Sequence, residues 1–215
     1  MGEASKAASR LERRKTRTRQ ALIDATRAFL ARRGIAEVSI QELTDAADVG
    51  FGSFYNHFRS KDDLFQAAIT DVLEELGQLL DELTAGIEDP AEVFAASVRL
   101  TGRMVDTHPQ IARILTHTGL PYLDSDKGLA PRALRDIRHA MAAGRFRPGN
   151  PYVALAGAGG SLLGFLQLWL EHPDLVDEHS ADELAENLLR MYGMSHEEAH
   201  AVARRPLPGG TRSAE

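Results

Sequence analysis

Apolar positions recur at three- and four-residue intervals along most of the chain, and nowhere do they alternate convincingly over a strand's length. The period predicts an all-α protein. From about Arg17 to Arg33, Leu22, Ala25, Phe29 and Leu30 share one helical face, with Gly34 placed to end the helix. A short helix follows Ser39, with Ile40, Leu43, Ala47 and Val49 as its apolar side. Ser39 and Glu42, three residues apart, make a capping box there. Asp48-Val49-Gly50 reads as a break, because aspartate tolerates positive φ and glycine adopts it freely. The next helix, Gly52 to Phe58, buries Phe54 and Phe58 at i,i+4 and leaves Ser53, Tyr55, Asn56 and His57 to face elsewhere. Ser60 caps a long helix from Lys61 to about Thr84, with Asp62 and Asp63 in its first turn where the macrodipole favours anions.

Prolines mark several of the later starts. Pro90 opens a helix to Val105 whose stripe is Phe94, Val98, Thr101 and Val105, and Pro109 opens a shorter one carrying Ile111, Ile114 and Leu115. A loop from Gly119 to Gly128 holds Pro121, Asp124 and Ser125; a helix from Leu129 to Ala143 then ends at Gly144. Asn150-Pro151 starts a long apolar helix to Leu170. Ser180 to Tyr192 is amphipathic through Leu184, Leu188 and Met191, and Ser195 to Arg205 forms a last short helix. The expected organisation is a disordered basic arm (1–16), a three-helix helix-turn-helix head (17–62), a helical body (63–205) and a flexible tail (206–215).

Charge is divided unevenly along this plan. The 215 residues carry a formal net charge of −6, yet residues 1–61 hold 12 Lys and Arg against 7 Asp and Glu. The remainder is strongly acidic. A basic head on an acidic body suits a protein that offers one part to a polyanion and repels it elsewhere. Two helices across a tight turn, with a polar and aromatic second helix, is also the layout that sets a helix in the DNA major groove. The absence of cysteine leaves no thiolate chemistry and fits a reducing cytoplasm. The N-terminus is basic and polar, and no secretory signal is expected there.

The residues of the head resemble those of the TetR family of transcriptional regulators. The resemblance runs through Arg32-Arg33-Gly34, Ser39-Ile40, Glu42-Leu43, Ala46-Ala47, Val49, the stretch Phe51 to Phe58, and Ser60-Lys61. Asp48 stands where glycine is common, Gly50 where serine is frequent, and Phe51 where many relatives carry a polar or basic residue. The resemblance implies that Tyr55, His57 and Lys61 contact phosphates, assisted by the hydroxyls of Ser39 and Ser53. It leaves base-edge reading to Phe51, Gly52, Ser53 and Asn56. Asparagine is a good partner for adenine, and phenylalanine packs on a thymine methyl. Arg17, or Arg19 beside it, is expected to enter the adjacent minor groove. The implied partner is a double-stranded, pseudo-palindromic operator bound by a homodimer, and the implied switch is a small-molecule effector that releases a repressor.

The body is expected to supply the dimer and the effector cavity. No charged residue occurs from Tyr152 to Leu170, a length that could span a bilayer. Its glycines, Gln167 and the acidic segment that follows favour a buried helix instead, with no membrane partner. Ala156, Gly160 and Gly164 form a small-residue ridge that lets another helix approach. With Gln167, Leu184 and Leu188 this resembles the family's dimer interface of two helices per subunit. Phe94, Val98, Met104, Ile114, His117, Phe165 and Trp169 are the expected pocket residues, for a partly apolar effector. No cofactor, metal or catalytic residue is expected.

One enzymatic alternative is written in the chain. His196-Glu197-Glu198-Ala199-His200 matches H-E-x-x-H, in which i,i+4 histidines bind zinc and the glutamate activates water. The match sits at a helix start, where Ser195 and Glu198 are spaced as a capping box, and no convincing third ligand follows. Gly157-Ala158-Gly159-Gly160-Ser161 is no phosphate loop: it lies within an apolar helix and lacks the Gly-Lys-Ser/Thr ending.

Overall fold

The computed structural model describes residues 2–33, 38–119 and 126–208. Gly34 as a helix end, Pro121, Asp124 and Ser125 of the loop, and the tail from residue 209 lie outside the described residues. Ten α-helices and no strand form among the described residues, as the 3.6-residue period predicts. The chain divides into two compact units, Met1–Val72 and Leu73–Glu215.

The first unit holds α1 (Gly2–Arg33), α2 (Ile40–Ala46), α3 (Phe51–Phe54) and the first half of α4 (Lys61–Thr84). Helix α1 is longer than the pattern predicts. The segment expected as a disordered arm joins it, because Ala, Lys, Arg, Leu and Glu are strong helix formers and no proline or internal glycine interrupts them. Leu22, Ile23, Thr26 and Leu30 are its buried residues, while Ala25 and Phe29, expected on that face, are half-buried. The core is completed by Val38, Leu43, Phe54, Phe58, Leu64, Phe65, Ala68 and Ile69. Arg27 pairs with Asp71 at 2.9 Å.

In the second unit α5 (Pro90–Thr107), α6 (Pro109–Thr118), α7 (Leu129–Ala142), α8 (Pro151–Glu171), α9 (Ser180–Met191) and α10 (His196–Ala203) pack beside the second half of α4. Asp89 caps α5 and Asn150 caps α8, each followed by proline at the first helical position. Gly144, at φ 72°, takes the left-handed turn after α7. The core centres on Phe94, Phe146 and Tyr192, whose ring centroids lie 5.1–5.5 Å apart. The Tyr192 hydroxyl donates to the Ala154 carbonyl at 2.6 Å, so its burial leaves no donor unsatisfied. Arg99 and Asp182, both buried, meet at 2.7 Å and join α5 to α9.

Candidate nucleic-acid interface and body pocket

The recognition turn is built as the residues dictate. Ser39 caps α2 reciprocally: its hydroxyl accepts from the Glu42 N–H at 3.2 Å, and the Glu42 carboxylate accepts from the Ser39 N–H at 2.8 Å. Asp48 takes the positive φ, 53°, while Gly50 sits at φ −63° as the N-cap of α3 and makes no use of its freedom. The helical part is shorter than expected, Phe51–Phe54, because the chain then tightens: Asn56 N–H bonds Ser53 O, and His57 N–H bonds Phe54 O. Phe54 and Phe58 are in the core as their spacing requires.

The opposite side of this turn is open. Phe51, Gly52, Tyr55 and Asn56 are exposed, and Ser53 and His57 half-exposed. Tyr55 is 57% exposed and stands edge-on to both Phe54 and Phe51, at 5.1 and 6.0 Å between centroids. Partial burial and the charges of Arg19 and Lys15 push the His57 imidazole below its ordinary pKa. It is therefore neutral at pH 7, a hydrogen-bond donor rather than a cation. Arg17 is exposed on α1, whereas the Arg19 guanidinium lies over the Phe58 ring at 4.9 Å. Two expected phosphate donors are already engaged. Lys61 Nζ donates to the Val38 carbonyl at 3.1 Å, and the Ser39 hydroxyl donates to Glu42 at 2.7 Å.

The second unit forms a pocket of about 70 Å³ lined by α4, α5, α7 and α8. Of the expected lining residues, Phe94 and Val98 face it. The other five do not. Met104 and Ile114 are core, His117 is exposed with Nδ1 2.6 Å from the Arg113 carbonyl, and Phe165 stands edge-on to Trp169 at 5.5 Å. In their place are Leu129, Leu155 and Leu162, with Asp81, Arg132 and Asp136. Arg132 Nε donates to Asp81 at 2.7 Å, and its two terminal nitrogens donate to Glu74 at 2.8 and 2.9 Å. Arg135 bridges Asp81 and Asp136 at 2.7 and 2.9 Å. Hydrogen bonds from Arg132 and the Gly128 N–H bring the Glu74 pKa down to about 2. Burial pushes Asp136 up despite Arg135. Sequence reasoning missed this network. Its signal, Arg132 and Asp136 at i,i+4, is also the signature of an ordinary solvated helix face.

Known proteins match both units. Residues 22–68 match the model of bacterial regulatory proteins of the tetR family, and residues 89–205 match the tetracyclin repressor-like C-terminal domain. The chain belongs to the TetR family. It is a helix-turn-helix transcriptional regulator. It is similar to RolR, whose crystal structure with resorcinol is 33% identical, covers 92% of this chain and 98% of that one, and superposes with a TM-score of 0.68. It is also 26% identical to the probable acrEF/envCD operon repressor of Escherichia coli strain K12, over 86% of this chain and 91% of that protein. A shorter likeness, 30% over 37% of this chain and 40% of that protein, relates it to the transcriptional repressor KstR2 of Mycolicibacterium smegmatis.

As in the sequence reading, α8 of this TetR-family chain is long and apolar enough to cross a membrane by length and composition. Yet Ala154, Leu155 and Ala158 belong to the body's core. The helix is buried on one side only. Ala156, Gly160, Gly164 and Gln167 lie on its exposed side with Val153, which is 68% exposed. Added Cβ atoms at Gly160 or Gly164 would meet nothing within 4 Å. Leu188, expected at an interface, is 2% exposed and packs in the core; Leu184 is half-buried and Met191 is the exposed apolar residue of α9. At 100° per residue the three lie on one side of α9, within about 60° of arc, with Leu188 toward the core and Met191 at the exposed edge.

The zinc motif is resolved into a structural cluster. His196 and His200 turn Nδ1 toward the Glu186 carboxylate, at 3.3 and 3.0 Å, and Arg204 pairs with the same group. Ser195 caps α10 through the Glu198 N–H, but the Glu198 side chain pairs with Arg145 instead of closing the capping box. Among the described residues no group of three or more His, Cys, Asp or Glu is disposed to hold a metal.

Proposed function

We propose that this regulator is a cytoplasmic, non-enzymatic repressor that binds a pseudo-palindromic operator as a homodimer and leaves it when a small molecule fills the body pocket. The observation that carries the reading is the exposed aromatic and polar surface of Phe51 to His57 on a basic head. Tyr55 and His57 are the phosphate donors, and Phe51, Gly52, Ser53 and Asn56 meet base edges. Arg17 is free to reach the minor groove. Lys61 and Ser39 act one step back, holding the turn that presents these groups.

The bare ridge of α8, with Val153, Leu168 and Met191 around it, supports the dimer: an apolar, small-residue face of this kind calls for a partner helix. Two heads then read two half-sites. The pocket supports the effector. Leu80 and Asp81 of α4 line it, and α4 begins directly after the recognition turn. An effector that binds the DNA-free form more tightly shifts the population toward it. Selection of bound fragments from genomic DNA, followed by light scattering of the chain on the enriched duplex, tests the proposal. It requires an inverted repeat and two copies of the chain per pair of half-sites. Enrichment without any repeat, or one copy bound, contradicts it.

A further inference from the structure

Hydrogen bonding in the pocket is almost closed on itself. Both Asp81 oxygens accept from arginines, Oδ1 from Arg135 and Oδ2 from Arg132. Arg132 is spent on Asp81, Glu74 and the Gly128 carbonyl. Gly77 makes this possible: a Cβ there would stand 2.8 Å from the Arg132 side chain. Thr101 donates to the Ser97 carbonyl at 2.7 Å. Two polar groups are left over. Asp136 Oδ1 is held by Arg135, but its Oδ2 has no hydrogen-bond partner among the described residues, and neither has the Ser97 hydroxyl. The rest of the lining is Phe94 and aliphatic side chains.

We propose that the effector is a neutral hydroxylated aromatic of the phenol and dihydroxybenzene class, with one hydroxyl donating to Asp136 Oδ2 and a second polar group meeting the Ser97 hydroxyl. This rests on the effector reading above and adds the ligand's chemistry. Charge selects against anions: the network sets the carboxylates of Glu74, Asp81 and Asp136 against only two guanidiniums, and both are engaged. A benzoate would bury an unpaired charge. Burial that opposes charge at Asp136 also opposes burying an ammonium beside it, whereas a neutral hydroxyl donates to the carboxylate without bringing a second charge into the site. A flat ring suits the apolar lining that Phe94, Leu155 and their aliphatic neighbours give the pocket, and it presents its hydroxyls rigidly, at little entropic cost. RolR, the 33% identical relative, has been crystallised with resorcinol.

The test is calorimetric titration of the full chain with resorcinol, phenol, benzoate and benzylamine, repeated on Asp136→Asn and Ser97→Ala. Resorcinol is expected to bind at least about tenfold tighter than benzoate or benzylamine, and Asp136→Asn to weaken it by about tenfold or more, the worth of a hydrogen bond to a charged group. In that variant Arg135 holds the amide oxygen and turns an NH2 donor toward the ligand. Ser97→Ala should weaken resorcinol severalfold, and it carries the test alone if circular dichroism shows Asp136→Asn unfolded. Tighter binding of benzoate or benzylamine, no binding by any probe, or resorcinol binding indifferent to the variants overturns the assignment. If resorcinol binds through Asp136 yet leaves the operator bound, the effector reading fails and the ligand chemistry stands.

Discussion

Phe54 and Tyr55 are neighbours in the chain that face opposite ways. Phe54 is fully buried and holds α3 on the head's core, so Phe54→Ala is expected to cost about 3–5 kcal/mol of stability. Tyr55 points outward, so Tyr55→Ala should lower duplex affinity several-fold and leave the melting temperature of the chain almost unchanged. Thermal denaturation and fluorescence anisotropy on both variants separate the two effects. Asp48 gives a third residue-scale expectation. A non-glycine residue at φ 53° is strained, and Asp48→Gly should stabilise the head by up to about 1 kcal/mol, read from the melting temperature. The i,i+4 spacing made Phe54 and Phe58 legible as core. The bond from Lys61 to the Val38 carbonyl was not legible, because that partner lies 23 residues upstream.

Helix starts and stops in the body were legible because each carries local chemistry: Pro90, Asn150-Pro151, Gly144 and Ser195. Which face each helix turns to which neighbour is a tertiary matter. That is why the pattern did not separate Leu188, which packs in the core, from Leu184, or Phe94 and Val98, which line this pocket, from the five expected residues that lie away from it. The bare side of α8 makes a testable element. Gly164→Leu has open space in the single chain and replaces a residue of low helix propensity. It should leave or raise the melting temperature while shifting light scattering from two copies toward one; an unchanged dimer would refute the ridge as the interface. The tie between α4 and α7 predicts an acid response. Glu74 has a folded pKa near 2, well below the ordinary carboxylate value, so its contribution is present above about pH 4.5 and is lost as pH falls toward 2. In Glu74→Gln the stability lost across that window in acid denaturation should shrink.

Over the whole molecule the decisive contrast is charge. A chain with a net charge of −6 approaches a polyanion only through the part where basic residues outnumber acidic ones. The long run of matching residues in the head made the family legible, and both units match it. The body's charge network was hidden, since its ion pairs join residues more than fifty positions apart. The most direct measurement is fluorescence anisotropy of the selected operator duplex across a salt series, with and without Tyr55→Ala. Phosphate contacts release counterions, so log affinity should fall linearly with log salt, by about 0.9 per phosphate contacted. The slope should be steep for the natural chain and shallower for the variant. Binding that is indifferent to salt, or a variant with the same affinity and slope, would contradict the assignment of this surface to DNA.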